Sequence, residues 1–194
     1  MAERVKSEKI SEMEVLKESS KRLYQDYKER IIDILLFGSF IKNKLKPEDI
    51  DIAVLLKNTK QKELLILREK FASFFEVKVH LNLIMIEDIL ENALFKALLE
   101  EGFSLMNDKP LSERIGYSSG AVFNFNLKKL QNSKKVLFSY ALHGKKNENG
   151  VLNKTNGKGI GKGVVFIPPQ FIDEFKEFLE LWNVDYYMMK ILKS

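Results

Sequence analysis

The sequence contains no cysteine. That excludes a disulfide framework and any metal centre built on thiolates. No apolar run approaches the roughly 20 residues that a membrane-spanning helix needs. The opening stretch, MAERVKSEKISEME, is too highly charged for a secretory leader. The expected location is therefore the cytoplasm, with no membrane partner. No internal repeat of usable length is present. Gly157-Lys158-Gly159-Ile160-Gly161 lacks the Gly-Lys-Ser/Thr ending of a P-loop. It is no dinucleotide fingerprint either, because a strand-like run, Val164 to Ile167, follows where a helix would be needed.

What remains is ordinary globular material. The 194 residues suit one large domain or two small ones. Hydrophobic residues make up 45% and charged residues 30%, so a sizeable core can be buried. The net charge of +5 suits a polyanionic partner weakly, and a solvated lysine surface accounts for it equally well.

The informative stretch is LLFGSFIKNKLKPEDIDIAVLL, Leu35 to Leu56. An apolar run from Ile31 ends abruptly at Gly38-Ser39. Asp49-Ile50-Asp51 follows, and a second apolar run, Ile52 to Leu56, comes next. The pattern predicts strand, tight turn, short connection and strand. Residues two apart on a strand share a face, so Asp49 and Asp51 project together while Ile50 points into the core. Two carboxylates on one side suit a hard divalent ion, most simply Mg2+. The Gly-Ser turn offers backbone N–H groups and a hydroxyl where a phosphate can approach. A phosphate cradle beside paired carboxylates equips a protein for metal-assisted phosphoryl transfer.

Gly38-Ser39, nine intervening residues, then Asp49-Ile50-Asp51 before an apolar strand resembles the signature of the DNA polymerase β-type nucleotidyltransferases, in their minimal branch. The resemblance covers residues 1 to about 107. It implies that Asp49 and Asp51 hold Mg2+ and that Gly38 and Ser39 grip the phosphates of an NTP. Where the family carries an Ala-Arg-Gly-like triplet, this chain has Ile41-Lys42-Asn43. Lys42 would then serve the phosphate as a point charge, or else be a surface lysine beside Lys44 and Lys46.

The flanking segments fit. Ile10, Met13, Leu16, Leu23 and Tyr27 predict an amphipathic helix over residues 1–30. Leu64 to Phe75 predicts a second helix. Val77 to Ile86 alternates like a strand, with Val79, Leu81 and Leu83 on one face and Glu76, Lys78, His80 and Asn82 on the other. Glu87 to Glu101 predicts a helix closed by Gly102 as its cap. The family places a third acidic residue on the third strand. By its spacing to the following helix, Asn82 matches that position, and Asn can neither accept a proton nor add charge to a metal site. His80 points the same way and could act as the base, or be structural. Glu76 lies roughly 20 Å along the strand from Asn82 and is a poor substitute.

Residues 108–120, polar and containing Gly and Ser, are expected to be a linker. Residues 121–194 carry no recognised motif. Ala121 to Phe125 predicts a strand, and Leu127 to Leu142 a helix bearing Lys128, Lys129, Lys134 and Lys135. Gly144 to Gly163, with Lys145, Lys146, Lys154, Lys158 and Lys162 among glycines and asparagines, reads as a long mobile loop. It suits a phosphate backbone or nucleotide tail, or a plain hairpin connection. Phe171, Phe175, Phe178, Leu179 and Trp182 form the core stripe of a helix begun by Pro168-Pro169, and Val184 to Leu192 ends the chain as a strand.

The expected fold is α+β. A nucleotidyltransferase-like short mixed sheet flanked by helices comes first, and a small α+β C-terminal domain follows, its basic helix and loop facing the cleft. The implied activity is transfer of a nucleoside monophosphate from an NTP to an acceptor hydroxyl, with Mg2+ as cofactor. The acceptor could be RNA, a protein or a small molecule. Two rival readings stand beside it. One is a nucleotide or RNA sensor that has lost its base at Asn82. The other is a protein-interaction module of the antitoxin kind.

Overall fold

The computed structural model describes residues 2–41, 49–57, 59–145 and 148–194. The chain divides into two compact units, Met1–Ile115 and Gly116–Ser194.

The first unit runs α1 (Ala2–Tyr27), β1 (Ile31–Phe37), β2 (Ile50–Leu56), α2 (Leu64–Ala72), β3 (Val79–Met85), α3 (Phe95–Glu101), β4 (Phe103–Ser104), β5 (Lys109–Pro110) and α4 (Leu111–Arg114). Its sheet has the order β3-β2-β1-β4-β5. β2 and β3 are parallel and the other neighbours antiparallel, so the sheet is mixed as expected. A parallel pair needs a crossover, and α2 supplies it.

β1 and β2 sit mid-sheet with both faces buried, which is why each reads as a near-continuous apolar run. On one face Ile34, Leu36, Ile52 and Val54 meet Leu16 and Leu23 of α1 and Leu67 and Phe71 of α2. On the other, Leu35, Phe37, Ala53 and Leu55 meet Ile84, Leu98 of α3 and Leu111 of α4. Truncating one such leucine to alanine costs about 2–5 kcal/mol. This two-sided clamp fixes the ends of β1 and β2, where Gly38 and Asp51 stand.

Three local expectations change. The helix expected over residues 87–101 is broken: a 3-10 stretch, Ile86–Glu91, precedes α3. Asn92 causes the break, because its side-chain oxygen accepts the Leu94 N–H at 2.9 Å and competes with the helical ladder. Gly102 ends α3 in an extended rather than left-handed conformation. It is needed for space, since a Cβ there would lie 2.4 Å from the Leu98 carbonyl oxygen. The segment expected as a linker, 108–120, contains β5, α4 and the start of the next strand, and Leu111 and Ser112 are buried.

The second unit runs β6 (Ser118–Asn126), α5 (Asn132–His143), β7 (Gly144–Lys145), β8 (Glu148–Asn149), α6 (Val151–Lys154), β9 (Lys158–Gly161), β10 (Val164–Ile167), α7 (Ile172–Leu181) and β11 (Asp185–Lys193). Its main sheet is antiparallel, in the order β11-β6-β10-β9. Ala121, Phe123, Phe125, Val165 and Ile167 form one face. Phe138 and Leu142 of α5, Leu152 of α6 and Phe175 and Leu179 of α7 pack onto it. α5 begins at Asn132 rather than Leu127, because Gln131 is extended and Leu127 and Leu130 are spent on a turn that packs on the core. Gly144 to Gly163 is not one long loop among its described residues. Buried Leu152 anchors it, the Thr155 hydroxyl donates to the Val151 carbonyl at 2.8 Å, and β9 pairs with β10. Glycine-rich strands pair through their backbones, so they leave no apolar periodicity to read.

Candidate active site

Gly38 follows β1 directly and has φ +78°, a left-handed conformation that glycine adopts without strain. A Cβ at this position would lie 2.6 Å from Asp51 Oδ2. Glycine is thus required twice: for the turn, and for the Asp51 carboxylate that leans over it. Antiparallel register causes the approach, since Phe37, the residue before Gly38, pairs with Asp51. Ser39 is half-buried in the turn. Phe40 next to it is fully buried in the core shared with α1 and α2, and pins the turn to the sheet. Phe40 was legible only as a lone aromatic ahead of a basic polar stretch.

Asp49 lies just before β2 and is exposed. Asp51, two residues on, is partly exposed, with the other oxygen of its carboxylate, Oδ1, 3.2 Å from His80 Nδ1. β2 and β3 run in parallel register with Asp51 beside His80 and Ala53 beside Asn82. The residue that faces Asp51 from the third strand is therefore His80, and Asn82 stands one strand repeat further in. Asn82 lines a groove of about 290 Å³ with Leu64, Arg68, Leu83, Asn92 and Leu94. Lys42, the expected phosphate lysine, lies outside the described residues.

Among the described residues no group of three or more His, Asp or Glu side chains is arranged to hold a metal. The candidate donors are the two carboxylates Asp49 and Asp51. That number fits Mg2+, which is commonly held by one or two carboxylates and completes its shell with waters and substrate phosphates. A carboxylate accepts hydrogen bonds, so Nδ1 is the ring nitrogen that donates to Asp51 and Nε2 is the one left for another partner. The imidazole is more than half exposed and open to an incoming group.

The same face of β1 holds a second polar cluster, five residues before Gly38. Asp33 is fully buried. Its Oδ1 accepts from Ser104 Oγ at 2.7 Å and from the Ile34 N–H at 2.9 Å, and its Oδ2 is paired with Arg114. Burial pushes the Asp33 carboxyl above its ordinary range, against the opposing pull of Ser104 and Arg114. This cluster ties α4 and β4 to β1. Its signal in the sequence was one acidic residue inside an apolar strand, which demands a partner.

The lysines singled out in the second unit are exposed: Lys145 on β7, Lys154 at the end of α6, Lys158 on β9 and Lys162 in the β9–β10 turn. Lys145 Nζ sits 5.1 Å from the centre of the Tyr140 ring. Lys146 lies outside the described residues. No helix among the described residues is long and apolar enough to cross a membrane.

Residues 18–110 match the family model described as Polymerase beta, Nucleotidyltransferase. No curated protein and no solved structure matches the chain significantly.

Proposed function

We propose, from the membership of residues 18–110 in the polymerase β-type nucleotidyltransferase family, that this domain transfers a nucleoside monophosphate from an NTP to an acceptor hydroxyl. The observation that carries the reading is the placing of the Asp51 carboxylate, which leans over Gly38 and lies 3.2 Å from His80, at the ends of β1, β2 and β3. It puts a glycine turn, a carboxylate and an imidazole within one small region.

In the reaction the acceptor oxygen attacks the α-phosphorus of the NTP. The bond from that phosphorus to the bridging oxygen breaks, and pyrophosphate leaves. Backbone N–H groups of the Gly38-Ser39 turn and the Ser39 hydroxyl hold the phosphates. Asp49 and Asp51 would hold Mg2+, which when bound neutralises charge on the phosphates and the leaving group. His80 Nε2 takes the proton from the acceptor hydroxyl, and Asp51 orients the ring through Nδ1 and stabilises the imidazolium that forms. Asp51 thus serves both metal and base, through its two oxygens.

Incubation with each labelled NTP, Mg2+ and total RNA, with label sought in RNA, protein and small molecules, tests the reading. Transfer by the wild type and its loss in Asp51→Asn are expected, along with weaker Mg2+-dependent NTP binding by calorimetry. NTP binding without any turnover would favour a nucleotide sensor instead.

A further inference from the structure

Among the described residues, the helices of the second unit pack on one face of its main sheet. Cross-strand partners share a face, so the register displays the other face row by row. Lys158, Phe166, Val122 and Met189 form one row across β9, β10, β6 and β11. Gly161, Val164, Asn124 and Tyr187 form the next, and Gly120 and Ile191 a third. None of these side chains belongs to the buried core clusters. Tyr187 is 69% exposed and Met189 51%. The Phe166 ring lies against Gly120, where a Cβ would meet it at 2.3 Å, so the ring takes the space that glycine leaves open. The face therefore offers one aromatic ring against Gly120, a second, exposed ring at Tyr187 and a methionine on the edge strand β11.

The unit that carries this face is basic. Residues 116–194 carry 12 lysines and 6 carboxylates, net +6, whereas the whole chain is only +5. Lys158 flanks the aromatic row, Lys162 sits in the adjoining turn, and Lys193 shares the open face at the end of β11. The carboxylate that β11 adds to this face, Asp185, is paired with Lys129 at 2.7 Å. Asn124 supplies an amide able to bond a base edge. Aromatic rings on an open sheet with lysines at its margins match the two halves of a single strand of nucleic acid: unpaired bases that stack, and phosphates that need cations.

We propose that this open sheet face binds single-stranded RNA by stacking bases on Tyr187 and Phe166 and pairing phosphates with Lys158, Lys162 and Lys193. Use of that RNA as the acceptor rests on the nucleotidyl transfer proposed above.

The test is fluorescence anisotropy with a labelled ten-nucleotide single-stranded RNA and its duplex, without NTP, on the full chain. The single strand should bind more tightly than the duplex. Tyr187→Ala should weaken it about 5- to 150-fold, the range for one stacked base, while Tyr187→Phe, which keeps the ring, should match the wild type. Lys158→Ala should lower the salt slope by roughly 0.7, the value for one phosphate contact on a single strand. Absence of binding, or binding unchanged in Tyr187→Ala, overturns the proposal. So does a concentration-dependent dimer in sedimentation that Tyr187→Ala dissolves, because the face would then belong to a second copy. Asp51→Asn should bind RNA normally yet fail to label it. If RNA binding behaves as expected while no variant or wild type transfers label, the platform stands and the transfer reading falls.

Discussion

Asp33 shows how a single residue carries both a tie and a cost. Its folded-state pKa is raised, so the folded chain binds this proton more tightly than the unfolded chain does. The group's contribution to stability is therefore fullest in acid and declines as pH rises from the ordinary carboxylate value through the raised one. Arg114 limits that decline by pairing with the ionised form. Arg114→Ala should destabilise the first unit by about 1–3 kcal/mol at neutral pH, the cost of an unsatisfied buried acceptor. The deficit should shrink as the buffer is taken below about pH 4, where the carboxyl is protonated in both states. Denaturant unfolding at several pH values measures it, and a deficit independent of pH would show that the guanidinium acts only by packing. Gly38 makes the complementary case at the site. Gly38→Ala forces a left-handed alanine, costing about 1–2 kcal/mol, and drives a methyl into the Asp51 carboxylate. Loss of transfer beyond the loss of stability is expected, read as activity at a temperature where the variant remains folded.

At the scale of an element, β3 carries the residue proposed as the base. Alternation in the sequence placed His80 and Asn82 on one face but could not say which of them meets Asp51. Spacing to the next helix pointed to Asn82. That ruler fails because the helix it measured from is broken at Asn92. The parallel register with β2 sets His80 opposite Asp51. His80→Ala should then reduce transfer roughly 10²–10⁴-fold, the usual worth of a general base, with NTP affinity unchanged. Asn82→Ala, beside Ala53 in the register, should change the rate far less. Equal effects in single-turnover assays would place the base elsewhere.

Across the whole molecule, charge is divided unevenly between the units, net +6 in residues 116–194 against −1 in the rest. A solvated lysine surface and a polyanion site make different predictions. Neutralising Lys145, Lys154, Lys158 and Lys162 together should flatten the salt dependence of RNA affinity, by roughly 0.7 for each lysine that contacts a phosphate. A slope that does not move would return these lysines to the solvated surface. The ordered backbone around them makes the experiment interpretable, since Leu152 and Thr155 hold the segment and the substituted side chains are exposed.

The sequence alone determined the strands β1 and β2, the turn at Gly38-Ser39, the placing of Asp49 and Asp51 at the head of β2, and the mixed α+β class. These follow from local causes: two-sided burial writes long apolar runs, a left-handed turn calls for glycine, and strand parity fixes faces. The helical spacing of Phe175, Phe178 and Leu179 marks a core stripe for the same reason, and Phe175 and Leu179 are fully buried. Only the tertiary structure decided what depends on register between distant strands. It set His80 rather than Asn82 beside Asp51, brought Ser104 and Arg114 to Asp33, and gathered Phe166, Val122, Met189 and Tyr187 onto one open face. Those partners are 29 to 81 residues apart within the first unit's polar pairs. No local periodicity encodes such pairings, because they are selected by the fit of whole sheets and their helices.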